Sequence, residues 1–138
     1  MNIPKKNNKI ICLHGADAVL CRGKKAEENG DISFCHKFFN TGTVSLKAVF
    51  RNPLPANFTL LTYTAMLNGE YIKNADLFSG IDIGTVEPYE CAEIKFRVKI
   101  KTDIPEETKN ISYADYTYES PEGTCYGSTL SLAMNSYE

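Results

Sequence analysis

A chain of 138 residues with 43% hydrophobic content is the size of one domain and apolar enough to build its own core. Its 15 basic and 17 acidic residues leave a net charge of −2, which gives no electrostatic reason to expect a nucleic-acid partner. No apolar run approaches the roughly 20 residues of a membrane-crossing helix, so no membrane insertion is expected.

The first fifteen residues differ from the rest. Pro4-Lys5-Lys6-Asn7-Asn8 is polar and expected to be flexible, and Ile10-Ile11-Cys12-Leu13 is a short apolar strand followed by Gly15. That stretch is too short for a signal peptide. The expectation is therefore a protein that stays in its cell or leaves by another route, such as lysis. Residues 1–15 are read as an extended arm on a domain spanning 16–138, and not as its first strand. Lys24-Lys25-Ala26-Glu27-Glu28 favours helix but is too short to stand alone, so residues 23–29 are read as a loop.

From residue 32 onward strand signals dominate. Ile32, Phe34, His36 and Phe38 share one side, Ser33, Cys35 and Lys37 the other, until Asn40-Thr41-Gly42 breaks the pattern. Residues 44–50 form a second strand, stopped by Asn52-Pro53-Leu54-Pro55, because proline removes a ladder donor. Residues 58–67 lead to Asn68-Gly69, a hairpin signal since both residues accept positive φ, and 70–72 return. A mixed stretch, 77–83, and the turn Glu87-Pro88-Tyr89-Glu90 precede the long strand 91–101. There Ala92, Ile94, Phe96, Val98 and Ile100 make an apolar face, opposite Glu93, Lys95, Arg97, Lys99 and Lys101. After a loop at 103–107, residues 111–118 alternate with Ala114, Tyr116 and Tyr118 on one side, and 126–134 form the last strand. Seven or eight strands, turn signals every ~8–12 residues and no convincing helix predict an all-β, antiparallel immunoglobulin-like sandwich.

The odd number of cysteines leaves at least one without an intrachain partner. Cys91 falls on the charged side of its strand and Cys35 opposite His36. Cys125 falls with Gly127, Thr129 and Ser131, away from the core; Cys21 is ambiguous; Cys12 lies in the arm. No Cys-x-x-Cys pair exists, and Cys12-x-His14 and Cys35-His36 lack a matching second pair, so no metal is expected. Cys12, Cys21, Cys35, Cys91 and Cys125 are candidates for disulfides between subunits. Ile10, Ile11 and Leu13 are candidates for a donor strand added to a neighbouring copy, with Cys12 locking it to Cys35, Cys91 or Cys125. Contacts of that head-to-tail kind do not close and give filaments.

Nothing in the chain announces catalysis or a cofactor. His36 reads as a core residue, and it faces away from Cys35, so the two make no nucleophile pair. Asp76, Asp82 and Glu87 lack the ligand density of a calcium loop. Lys37 and Lys47 with Asn110 or Asn135 are formal isopeptide candidates, although Lys37 points outward. Asn57-Phe58-Thr59 and Asn110-Ile111-Ser112 fit the glycosylation sequon, which matters only in a eukaryotic secretory route.

Several of these pieces stand in a familiar order: Gly30-Asp31-Ile32-Ser33-Phe34, then Asn40-Thr41-Gly42, then Asn52-Pro53-Leu54-Pro55, Asn68-Gly69, 80–88 and Asn110-Ile111-Ser112-Tyr113-Ala114. Over residues 16–135 the chain resembles the conserved-repeat domain of prokaryotic surface proteins (domain of unknown function number eleven). The resemblance implies an immunoglobulin-like sandwich serving structure or adhesion and not catalysis. The expected protein is a homopolymer-forming subunit of an extracellular, cell-surface or spore-surface fibre or coat. The alternative is an adhesin-like binding module.

Overall fold

The computed structural model describes residues 8–14, 17–26, 30–54, 58–100, 111–120, 123–126 and 130–133. The polar start (1–7), the loop 103–107 and the expectations placed on Asn57, Asn110 and Asn135 lie outside the described residues.

Among the described residues, twelve strands build two antiparallel sheets. They are β1 (Asn8–His14), β2 (Ala18–Ala26), β3 (Asp31–Asn40), β4 (Leu46–Arg51), β5 (Phe58–Leu60), β6 (Met66–Leu67), β7 (Glu70–Tyr71), β8 (Ile81–Val86), β9 (Cys91–Ile100), β10 (Ile111–Ser120), β11 (Gly123–Tyr126) and β12 (Leu130–Ala133). The larger sheet runs β1-β2-β3-β9-β6-β7, with β5 also on β9; the smaller runs β11-β10-β4-β8, with β12 also on β10. Strand β1, read from the sequence as part of an arm, and β2, whose residues from Gly23 on were read as a loop, are instead the rim of the larger sheet: Cys12 pairs with Cys21 and His14 with Val19. Continuous pairing of β2 with β3, from Ala18 opposite Asn40 to Ala26 opposite Ile32, overrides the helical leaning of the lysine-rich segment.

The alternation read in the sequence is the alternation observed. Ile32, Phe34, His36 and Phe38 are buried with Ala92, Ile94, Phe96 and Val98, while Lys37, Lys95 and Lys99 are exposed. Leu46, Ala48, Phe50, Ala114, Tyr116 and Tyr118 close the core from the second sheet. In β8 the pairing slips between Ala48 and Val49, so Ile81, Ile83 and then Val86 turn inward. Asn68 and Gly69 adopt φ of 52° and 84°, as the β6–β7 hairpin requires.

One buried amide ties the end of β3 to the turn before β9. The Asn40 Nδ2 donates to the carbonyls of Val44 (2.7 Å) and Val86 (2.8 Å), and its Oδ1 accepts from the Gly42 amide (3.0 Å). Its backbone exchanges bonds with Tyr89 and Glu90. Asn40→Ala is expected to cost about 2–3 kcal/mol, seen as a Tm lower by roughly 5–10 °C. A melting curve unchanged by this substitution would mean that the turn holds itself.

Candidate functional site

The solvent face of the larger sheet gathers most of the thiols. The inward side chains of β2 are Ala18, Leu20, Arg22 and Lys24, all at most 2% exposed, so Cys21 is on the outward side. Cys12 stands opposite Cys21, and the two form a disulfide within the chain, across β1 and β2. Cys35 lies opposite Gly23, and Cys91 opposite Phe39, on the same outward face. Four of the five cysteines therefore share one surface.

Two expectations change here. Cys12 is bonded to Cys21 of its own chain and not to another copy, and Ile10, Ile11 and Leu13 pair with Gly23, Arg22 and Leu20 of their own β2. The two cysteines are spaced evenly about residues 16 and 17, the signal by which a hairpin pairing could have been found. Cys125 does not point away from the core. It stands opposite the buried Tyr118 and packs against the core cluster. Burial, then the contact with Cys125, raise the Tyr118 hydroxyl above its usual pKa. Counting parity through 124–134 as one strand misplaced Cys125, because β11 ends at Tyr126 and β12 begins at Leu130.

The free thiols differ in character. Cys91 is exposed; Cys35 and Cys125 are half-buried. Burial and then the Glu93 charge push the Cys35 thiol up, against the opposing pull of Lys95 and Lys37, and its Sγ lies 3.9 Å from Glu93 Oε2. A raised pKa leaves less thiolate, so Cys91 is the more available partner for exchange on grounds of access.

Beside Cys35 the face is hollow. Gly23, Cys35, Lys95 and Met66 line up across four strands, and the missing side chain at Gly23 opens a groove of about 490 Å³. Thr64 and Met66 close one end, and the outward basic residues Lys25, Lys95 and Arg97, with no acidic one among the described residues, line it. Lys95 meets Glu93 at 3.3 Å, a pair at the surface that salt and competitors displace, and Arg97 meets the buried Asp31 at 3.3 Å. At the Met66 end stand two exposed tyrosines, Tyr63 and Tyr71, their rings 5.5 Å apart, with Tyr63 in a left-handed backbone at φ 65°.

Between the sheets lies a polar group that the sequence did not disclose. Arg22 is fully buried; its Nε donates to His36 Nε2 (2.8 Å) and its second nitrogen to Asn52 Oδ1 (2.6 Å). The His36 ring stacks on Phe34 and Phe96 and tilts against Phe50 at 4.5 Å. Burial, then the Arg22 charge, hold His36 well below its usual pKa, against a backbone contact from Ile94. This cluster is enclosed, and Cys35 turns to the opposite face, so it offers a substrate no access and no nucleophile.

The carboxylates considered for calcium are engaged in turns. Asp76 accepts from Phe78, Ser79 and the Ser79 hydroxyl, and Asp82 from Gly84; Glu87 bonds Ser45. Lys37 is outward, 3.9 Å from Glu93, and Lys47 is exposed.

No family model matches the chain, and no curated protein matches it. Among solved structures, the GAE domain of GGA2p from Saccharomyces cerevisiae superposes with a TM-score of 0.58 at 10% identity, covering 94% of this chain and 99% of that one. A structure concerned with pH-induced modulation of Streptococcus parasanguinis adhesion by Fap1 fimbriae gives 0.53 at 9% identity, over 96% and 93%. BcpA, the major pilin subunit of Bacillus cereus, gives 0.51 at 10% identity over 75% of this chain and 34% of that one. At such identities the likeness shows the fold: an all-β, antiparallel, immunoglobulin-like sandwich.

Proposed function

We propose that the chain is a non-enzymatic structural subunit of a surface or fibre assembly, its copies secured to one another by disulfides. The observation that carries this reading is the gathering of Cys12, Cys21, Cys35 and Cys91 on one solvent face, with Cys91 exposed. Exposed thiols are a liability unless used. A disulfide such as Cys12–Cys21 persists in oxidising surroundings, which supports a place outside the reducing cytosol. The likeness to a pilin subunit and to fimbriae, and the resemblance to the repeat domain of surface proteins, agree with such a role.

Strand addition takes a different form from the one the sequence suggested. Releasing β1 into a neighbour would undo its seven-residue ladder with β2 and the Cys12–Cys21 bond. Its outward edge, which has no partner strand among the described residues, is an edge that another copy can extend. The test is electrophoresis without reductant after air oxidation. The native chain is expected to form dimers and higher bands that Cys91→Ser largely removes and reductant abolishes. A single monomer band in every lane would refute the reading.

A second reading, an adhesin-like binding module, is favoured by the groove beside Gly23. A protein that remains monomeric in air with Cys91 as a free thiol would support it.

A further inference from the structure

The groove and one exposed loop have complementary chemistry. Phe78 is 71% exposed, a costly state for a ring that carries no polar group. Its loop is stiff. Asp76 accepts from the amides of Phe78 (2.9 Å) and Ser79 (3.0 Å), and the Gly80 amide bonds the Asp76 carbonyl (2.9 Å). Gly80 holds φ +128°, where a Cβ would come within 2.8 Å of Val49 Cγ1, so no other residue fits that corner. Arg51 supports the ring from beneath, 5.9 Å from its centroid, and donates to the Phe78 carbonyl. Asp76 within the loop and Asp82 in the following β8 are exposed, and Asp115 sits 3.9 Å from Arg51. The loop is thus a preorganised apolar knob with an acidic surround. The groove is a hollow with a basic rim and no acidic lining residue.

A single copy cannot join the two. Gly23 faces out of the larger sheet, whereas its neighbour Arg22 faces in and bonds Asn52, whose amide bonds the Leu77 carbonyl. Groove and loop therefore lie on opposite sides of that sheet. We propose that Phe78 of one copy seats in the Gly23–Cys35 groove of the next, with Asp76 and Asp82 against the rim of Lys25, Lys95 and Arg97. The contact is heterologous, so it repeats head to tail and does not close. It deepens the reading of the protein as an assembling subunit, on which it rests, by naming a non-covalent contact. One ring in one groove is a small interface, so association is weak, with a Kd on the order of tens of micromolar or more.

Sedimentation velocity of the full chain carrying Cys91→Ser tests this apart from cross-linking and keeps Cys12–Cys21 intact. Mass is expected to rise with concentration and to fall with added salt. Phe78→Ser and Lys95→Glu, both at exposed positions, are each expected to weaken association about tenfold or more. Tyr89→Ser, at another exposed aromatic, is expected to leave it unchanged. Mixing the Phe78→Ser and Lys95→Glu chains is the decisive step. The first keeps its groove and the second its knob, so the mixture is expected to stop at a dimer. Monomers at every concentration, assembly unaffected by Phe78→Ser, loss of assembly in Tyr89→Ser, or no dimer in the mixture would each overturn the proposal. Covalent bands from the native chain would still stand in that event, which separates this failure from failure of the disulfide reading.

Discussion

Replacing Asn52 with leucine is expected to lower stability by about 3 kcal/mol, seen as a Tm fall of roughly 10 °C. Leucine keeps most of the bulk but removes the carbonyl that receives an Arg22 N–H at 2.6 Å. Burial lowers the Arg22 pKa to about 9, which still leaves the guanidinium charged near neutral pH. A buried cation depends on every acceptor it has, because the energy lost in leaving water is recovered only through them. Arg22→Met, which removes the charge together with its demand for acceptors, is expected to cost less than Asn52→Leu. Urea melts of both variants decide the matter. An Asn52→Leu protein within about 1 kcal/mol of the native chain would show that this bond does not hold the sheets together.

The same cluster predicts acid lability. In the folded chain His36 titrates well below the usual histidine value of about 6.5, because burial and then Arg22 disfavour the imidazolium. The unfolded chain therefore binds more protons in the interval between the two pKa values. Stability is complete above the unfolded value and falls as pH drops below it, by up to ~1.4 kcal/mol per pH unit until the folded value is reached. As pH falls below 6.5 the native chain is expected to lose more stability than His36→Gln. Glutamine keeps an acceptor for Arg22 and does not titrate. Carboxylates titrate alike in both chains, so the difference profile isolates His36. A flat difference across that range would mean that the ring is protonated in place or exposed.

How much of this was legible follows the periodicity. Strands β3 and β9 announced their faces because Ile32, Phe34 and Phe38, and Ala92, Ile94, Phe96 and Val98, repeat every second residue. Strand β2 hid its face because the inward row carries Arg22 and Lys24, residues whose type argues for solvent. Only pairing with both neighbours, and acceptors supplied from β3 and from beyond β4, make that row buried. The hairpin at Asn68-Gly69 was legible because its turn needs residues that accept positive φ; Tyr63 and Tyr89, both at φ 65°, adopt it against type and gave no signal. The groove was illegible for another reason. It exists only when four strands bring Gly23, Cys35, Lys95 and Met66 into line, and no single segment carries that information.

In the proposed assembly, copies are joined through outward thiols while Cys12 and Cys21 remain joined to each other. The most direct measurement is disulfide mapping by mass spectrometry on an air-oxidised mixture of isotopically light and heavy chains. Linked peptides containing Cys91 are predicted to include light–heavy hybrids, whereas Cys12–Cys21 peptides are predicted to be purely light or purely heavy. Cys91 recovered only as a free thiol, or hybrids at Cys12–Cys21, would contradict it.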